Sequence, residues 1–337
     1  MRNDYRTHLD LQLFAELNTN VTTDSGLSVE NKTFYDRALL ETAKPNLVHD
    51  QFGQKRPIPK NGGKKIEFRR YAALPKAMTP LTEGVTPDGK KLAVSKIEAT
   101  VSQYGDYVCL SDVLDLTAID NNVLEATKAI GNQAGLTLDT ITRNVLQSGT
   151  NVYYCPKSSG VQPEDRATLD ATCKLTVDVV KRVATMLKRK NVPKIDGDYV
   201  AIIHPDVGYD LMSDPKWEEM NKYTDPAHQY EGEIGRIAGV RFVETSEAAI
   251  YTGDGCPSGL AVYGSIFLGD NAYGITDIAG GGLQTIIKQL GSAGTADPLN
   301  QRSTVGWKAM KTAEILTEAY LVRVESCGAF SATAQKN

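Results

Sequence analysis

The chain has 337 residues, 41% of them hydrophobic and 23% charged, with 41 acids against 37 bases and a net charge of −4. That length and mixture can bury a real core and exclude global disorder. The slight acidity excludes a histone-like coat of phosphate-neutralising charge, while leaving local basic patches open.

The five cysteines are Cys109, Cys155, Cys173, Cys256 and Cys327. Their number is odd and none pairs as C-x-x-C, which argues against a disulfide framework and against a zinc site. They read as small buried hydrophobes in a reducing compartment. The N-terminal run MRNDYRTHLDLQLFAELNTN has no uninterrupted apolar stretch and no cleavage site, so it is not a signal peptide. No window approaches the ~20 apolar residues of a membrane span. The expectation is a soluble chain made in the cytoplasm, with no membrane partner.

Residues 1–28 read as a weakly structured leader, because Asn18, Asn20, Thr22, Thr23, Asp24, Ser25 and Gly26 favour turns. Ser28 then caps a helix to Lys44, with Phe34, Tyr35, Ala38 and Leu39 on one face and Pro45 ending it. From Gln51 to Asp112 the texture changes. Two strand-like runs, Lys64–Tyr71 and Ser95–Cys109, flank a middle rich in Pro, Gly and Thr. Lys55, Arg56, Lys60, Lys64, Lys65, Arg69, Arg70 and Lys76 crowd its first half. Ile66 and Phe68 point one way, and Lys65, Glu67 and Arg69 the other. This spells a long two-stranded arm, marginal in water by itself, that lies on another molecule; an ordinary surface hairpin with a long loop is the alternative.

Asn122–Gly149 is the clearest helix. Val123, Ile130, Ala134, Leu138, Ile141 and Val145 form one apolar stripe. Asn122 and Glu125 are spaced as a capping box, and Gly149 is placed for a C-cap. Its length would be about 40 Å, a spine for something elongated or a long core helix. Asn151–Ala171 reads as a boundary loop. Helix Thr176–Lys190 follows, with Val179, Val183, Met186 and Leu187 inward, Asp178 at its positive end and Lys188, Arg189 and Lys190 at its negative end. Asp198–Ile203 is a short buried strand, after which His204 and Pro205 start a helix. Val240–Glu244, Gly259–Leu268 and Leu283–Leu290 supply further strand, the last after the glycines Gly280–Gly282. The tail Thr304–Glu325 reads as strands with Trp307, Ile315, Tyr320, Val322 and Val324 partly buried. The whole is α+β.

Catalytic machinery is hard to find. His204 and Asp206, in HPD after a buried strand, are spaced for a base and its orienter, but His204 as a helix cap is the simpler reading. Cys155 is a nucleophile only with a histidine beside it. There is no Walker loop, and Gly235–Gly239 lacks the dinucleotide-binding spacing. Acid spacings match no EF-hand or H-E-x-x-H helix, so no metal or other cofactor is expected. Only Phe68 and Tyr71 interleave the basic arm, too few for a single-strand stacking platform. Its cations suit acidic rims of neighbouring subunits instead.

Several stretches carry a family resemblance: LQLFAELNTNVTT, then LSVENKTFYDRALLETAKPNLVHDQFGQKRPIPKNGGKKIEFRRYAAL, then GDYVAIIHPDVGYDL, GEIGRIAGVRFVETSEA and GTADPLNQRSTVGWKAMKTAEILTEAYLVRVES. In this order they resemble the major capsid proteins of tailed bacteriophages, closest to a podovirus-like subfamily. The resemblance implies an N-terminal arm over residues 1–49, an extended loop over 50–111, a peripheral domain over 112–174 and 295–337, and an axial domain over 175–294. It implies a structural protein, not an enzyme, whose copies form pentamers and hexamers of an icosahedral shell around double-stranded DNA. Its partners would be copies of itself, a portal protein at one vertex, DNA held without sequence specificity and, compatibly, a decoration protein. The leader is too short for a fused scaffolding domain, which implies a separate scaffolding protein. Its place would be the virion capsid, after synthesis in the host bacterial cytoplasm. Arg56, Lys64, Lys65, Phe68, Arg69 and Arg70 are the candidate inter-subunit contacts; Lys64 and Lys65 are also candidate donors of a loop crosslink. The alternatives are an encapsulin-like shell around an enzyme cargo and a His204/Asp206 hydrolase.

Overall fold

A computed structural model describes residues 47–337, apart from 72–73, 87, 118–121, 218–234, 254, 277–280, 293–296 and 332. The leader and the helix expected over Ser28–Lys44 lie outside the described residues.

Two sheets and a long helix make the body. The first sheet takes β1 (Gln54–Lys55), β4 (Ser102–Ser111), β11 (Tyr273–Thr276), β12 (Gln284–Lys288) and β13 (Arg302–Ile315). β13 is its centre, with β4 antiparallel along one side and β12, then β11, along the other. After a short helix α1 (Asp112–Thr117), the long helix α2 (Asn122–Gln147) packs on one face, where Ile130, Ala134 and Leu138 meet Val305, Trp307 and Ala309. Alternate β13 residues face α2, as the two-residue repeat of a strand dictates.

The second sheet runs in the order β5 (Val152–Tyr154), β14 (Leu321–Cys327), β10 (Val262–Leu268), β6 (Tyr199–Ile203), β8 (Val240–Glu244), β7 (Arg236–Ile237), with β9 (Ala249–Tyr251) also on β10. β6, β10 and β14 are buried along nearly their whole length because both faces are covered, and β6 is apolar throughout. Tyr199, Ala201 and Ile203 join the core under helix α3 (Val177–Arg189), whereas Val200 and Ile202 face Leu146, Tyr273 and Ala313. α3 buries Val179, Val180, Val183, Ala184 and Leu187. Each Val or Leu among them contributes roughly 1.5–3 kcal/mol. Helix α4 (Pro205–Met212) follows β6, with Pro205 in its first turn.

The structure corrects several expectations. The run Ser95–Cys109 is two strands: β3 (Val94–Thr100) pairs with β2 (Lys65–Tyr71), and β4 turns into the body sheet. Val101, buried between them, is where the chain leaves the ribbon. The boundary loop contains β5, parallel to β14. Asn122 is already helical and donates its amide to the Leu114 carbonyl at 3.4 Å, while Glu125 pairs with Lys128 at 2.8 Å, so no capping box forms between Asn122 and Glu125. Gly149 is absent from the left-handed glycines. It is small because a Cβ there would lie 3.0 Å from Leu321. The domain cuts drawn from the sequence also cross both sheets. β5 and β14 join the sheet of β6 and β8, and β11 and β12 join that of β13. Sequence order does not report this, because β-pairing joins segments far apart in the chain.

Candidate functional site

The feature with no core of its own is the ribbon of β2 and β3. Lys65 to Tyr71 lie antiparallel to Thr100 to Val94 in strict register. Its charged face is paired: Lys65 to Glu98 at 3.6 Å and Lys96 to Glu67 at 3.3 Å across the strands, and Arg69 to Glu67 at 3.6 Å along β2. All five side chains are more than a third exposed, and such pairs contribute little each. Lys64 and Arg70 have no carboxylate partner among the described residues. Beyond the ribbon, Leu74, Met78, Leu81, Val85 and Leu92 stand in solvent. Large apolar side chains exposed together on a charged stem mark a surface meant to be covered.

The root of the ribbon is held firmly. Phe68, 4% exposed, turns inward against Gly274 of β11, where any Cβ would come within 2.8 Å of the ring. Arg56 stands over the same ring at 5.9 Å. Of the six candidate contact residues, Phe68 is therefore an intrachain anchor and not part of an exposed face. Arg56, Lys64, Lys65, Arg69 and Arg70 are exposed. Phe68→Ala should free the ribbon without unfolding the body. Hydrogen exchange should then speed up over Lys65–Tyr71 and Val94–Thr100 and stay unchanged in β6 and β10. Equal acceleration in β6 would contradict the anchoring role.

Just before the ribbon, His49 and Asp50 are pinned to α2. The Asp139 carboxylate accepts the His49 backbone N–H at 2.7 Å and lies 2.6 Å from its Nδ1. Asp50 accepts from Thr142 Oγ1 at 2.6 Å and pairs with Lys311, whose ammonium also donates to the Leu138 carbonyl at 2.8 Å. Tyr273 donates its hydroxyl to the His49 carbonyl. Burial pushes the Lys311 ammonium below its ordinary range, against the pull of Asp50. This network escaped the sequence reading. Its signal was there: Asp139, Arg143 and Gln147 recur every four residues on the buried side of α2, where polar groups need partners.

A second polar cluster lies under β14. Glu325, fully buried, accepts two hydrogen bonds from Arg166, at 2.7 and 2.6 Å, and has Arg323 Nε at 2.9 Å. Arg166 also stacks 3.6 Å above the Tyr251 ring. The bidentate carboxylate holds the Arg166 guanidinium above its ordinary pKa.

His204 does what a helix cap does. Its Nδ1 accepts the Asp206 backbone N–H at 3.2 Å, and the Asp206 carboxylate accepts the Tyr263 hydroxyl at 2.5 Å. The Ser331 carbonyl lies 3.0 Å from the same hydroxyl and shares its one proton with Asp206. Burial lowers the His204 pKa and raises that of Tyr263. The ring nitrogen nearest Asp206 is thus spent on the backbone, and Asp206 does not orient a base. Cys155, Cys173 and Cys327 are buried, as their type suggests, whereas Cys256 is half-buried and Cys109 exposed on β4. Desolvation pushes the Cys155 thiol well up, the wrong direction for a nucleophile. Among the described residues no group of three or more His, Cys, Asp or Glu is placed to hold a metal, and no helix is long and apolar enough to cross a membrane.

No curated protein matches the chain. Among solved structures, the capsid of cyanophage P-SCSP1u is similar over 84% of this chain and 89% of its own, with TM-score 0.64 and 14% identity. The capsid of Ralstonia phage GP4 is similar over 82% and 87%, with TM-score 0.63 and 16% identity. A virus-like particle from Pyrococcus furiosus is a weaker likeness, with TM-score 0.50 and 10% identity over 88% and 99%. The fold is the tailed-phage major capsid fold. The profile of the family described as phage capsid protein matches residues 94–322. The chain belongs to the phage capsid protein family.

Proposed function

We infer that the chain is a major capsid protein, a structural subunit whose copies build the shell of a tailed-phage virion. The observation that carries this is the ribbon: a charged stem anchored at its root, with an apolar outer stretch that its own body leaves uncovered. Copies supply the cover. The surface that suits it is the face of the first sheet turned away from α2, where Tyr107 and Ile286 are exposed. Arg56, Lys64, Lys65, Arg69 and Arg70 are the ribbon's contacts to the neighbour. The Pyrococcus particle is the lesser likeness, which puts the encapsulin-like shell second.

The finer reading has pentamers and hexamers tiling an icosahedron around double-stranded DNA, with a portal at one vertex and synthesis in the host bacterial cytoplasm. The arm comprises residues 1–49 and the extended loop 50–111. The peripheral part is best drawn around α2 and the first sheet, and the axial part around α3, α4 and the second sheet, with β5 and β14 passing into it. Assembly uses a separate scaffolding protein. Co-expression with the product of the adjoining gene should yield regular closed shells by electron microscopy; regular shells from the chain alone would overturn the need for a scaffold.

A further inference from the structure

The second sheet ends at β5, whose outer side pairs with no strand among the described residues. Arg323 donates to the Asn151 carbonyl at 2.9 Å, and Cys155 donates to the Glu325 carbonyl at 3.0 Å. Alternate residues of this stretch therefore face β14, and Val152 and Tyr154 turn their backbone groups outward. The Tyr154 carbonyl accepts the side-chain amide of Gln162, which stands where a neighbouring strand would stand. The Val152 N–H and C=O and the Tyr154 N–H have no partner among the described residues. An open edge of this kind is a template for a further strand.

Beside it a cleft of about 730 Å³ opens between β5, Pro163 and the outward face of α3. Lys181, Arg182 and Arg189 line it and are exposed, and Glu164 is the one acid in its wall. The helix dipole accounts for Arg189, in the last turn of α3. It does not account for Lys181 and Arg182, in the N-terminal half, where cations gain nothing from it. Nor does α3 supply a counter-charge, because its single acid, Asp178, is paired with Lys216. Lys181 and Arg189 are two helical turns apart, about 12 Å. About four residues of extended chain cover that distance, with alternate side chains on one face.

We propose that the β5 edge takes an extended acidic segment of a different protein as an added strand, its backbone bonded to Val152 and Tyr154 and its alternate carboxylates set against Lys181, Arg182 and Arg189. The main-chain bonds supply the affinity, and the cations select an acidic sequence. Gln162 is a placeholder that leaves the Tyr154 carbonyl when the strand docks. The site lies within one subunit, so it stands or falls apart from the shell reading.

A fluorescent peptide of alternating Glu and Thr tests it. Its anisotropy should rise on titration with the whole chain, and less so at high salt. Lys181→Glu/Arg182→Glu should weaken binding about tenfold or more. Val152→Pro removes an outward N–H without touching the bonds to β14, and should weaken binding about tenfold with unchanged circular dichroism. Gln162→Ala removes the competitor for the Tyr154 carbonyl and should tighten binding about threefold. Peptides N-methylated on every Glu or on every Thr separate strand addition from plain charge attraction, and need no variant of the protein. One form should bind like the parent peptide and the other about tenfold more weakly, because only alternate residues bond to β5. No rise with the unsubstituted chain, equal binding of the two methylated forms, or full binding by Val152→Pro would overturn the proposal. Unchanged affinity in Gln162→Ala would overturn the placeholder role. Duplex DNA bound as tightly as the peptide, and lost with the Lys181→Glu/Arg182→Glu reversal, would make the cleft a phosphate site instead. Self-association of the chain that Val152→Pro abolishes would give the edge to a second copy and overturn the proposal equally.

Discussion

Glu325→Ala is expected to destabilise the subunit by about 3–5 kcal/mol, because it removes the anion from a buried charge cluster and leaves the cations behind. Glu325 is fully buried in β14, and Arg166 meets it through two short hydrogen bonds. Arg323 lies 2.9 Å away on the same strand. In the variant, Arg166 keeps its stacking on Tyr251 but loses its counter-charge. The tie between the loop bearing Arg166 and the sheet goes with it, so β5 should fray first. Urea unfolding of the monomer measures the change. The double variant Arg166→Met/Glu325→Leu should recover part of the loss, since a well-packed apolar pair can replace a buried ion pair. A Glu325→Ala chain as stable as the parent would mean that the cluster is solvated and the burial argument wrong.

Arg69→Glu/Arg70→Glu is expected to abolish shells while leaving the monomer fold intact. Arg69 is well exposed and its pairing to Glu67 at 3.6 Å contributes little, so body stability should stay within about 0.5 kcal/mol. Assembly is different. A closed shell repeats each contact once per subunit, so a small repulsion at one contact multiplies over the particle. Sedimentation should show the variant as slow species only, with an unchanged unfolding midpoint. Normal shells from this variant would refute the interface role of the ribbon's charged face; a lowered midpoint would make these residues part of the fold instead.

Much of this was legible before any coordinates. The α2 stripe, the inward face of α3, β6 and the Lys65–Tyr71 strand follow from periodicity, because one buried face imposes a repeat of 3.6 or 2 residues. His204 as a cap follows from Pro205 at the first helical turn. What escaped depends on partners distant in sequence. β5 and β9 are too short to show a repeat and exist because β14 and β10 offer free edges. Phe68 reads as a ribbon residue, yet Gly274, far along the chain, makes the slot it fills. Asp139 looks like an interruption of an apolar stripe until His49 is placed against it. The exposed residues of the ribbon are legible only as an imbalance, too much charge and too much exposed apolar surface for a solitary globule.

That imbalance fits a ribbon that belongs to a shell and not to a solitary globule. Sedimentation velocity on the unsubstituted protein, purified after co-expression with the product of the adjoining gene, is the decisive measurement. A sharp population of megadalton particles, seen by electron microscopy as closed shells, is the expected result. A small soluble oligomer under the same conditions, with a hydrolytic activity lost in His204→Ala, would contradict it.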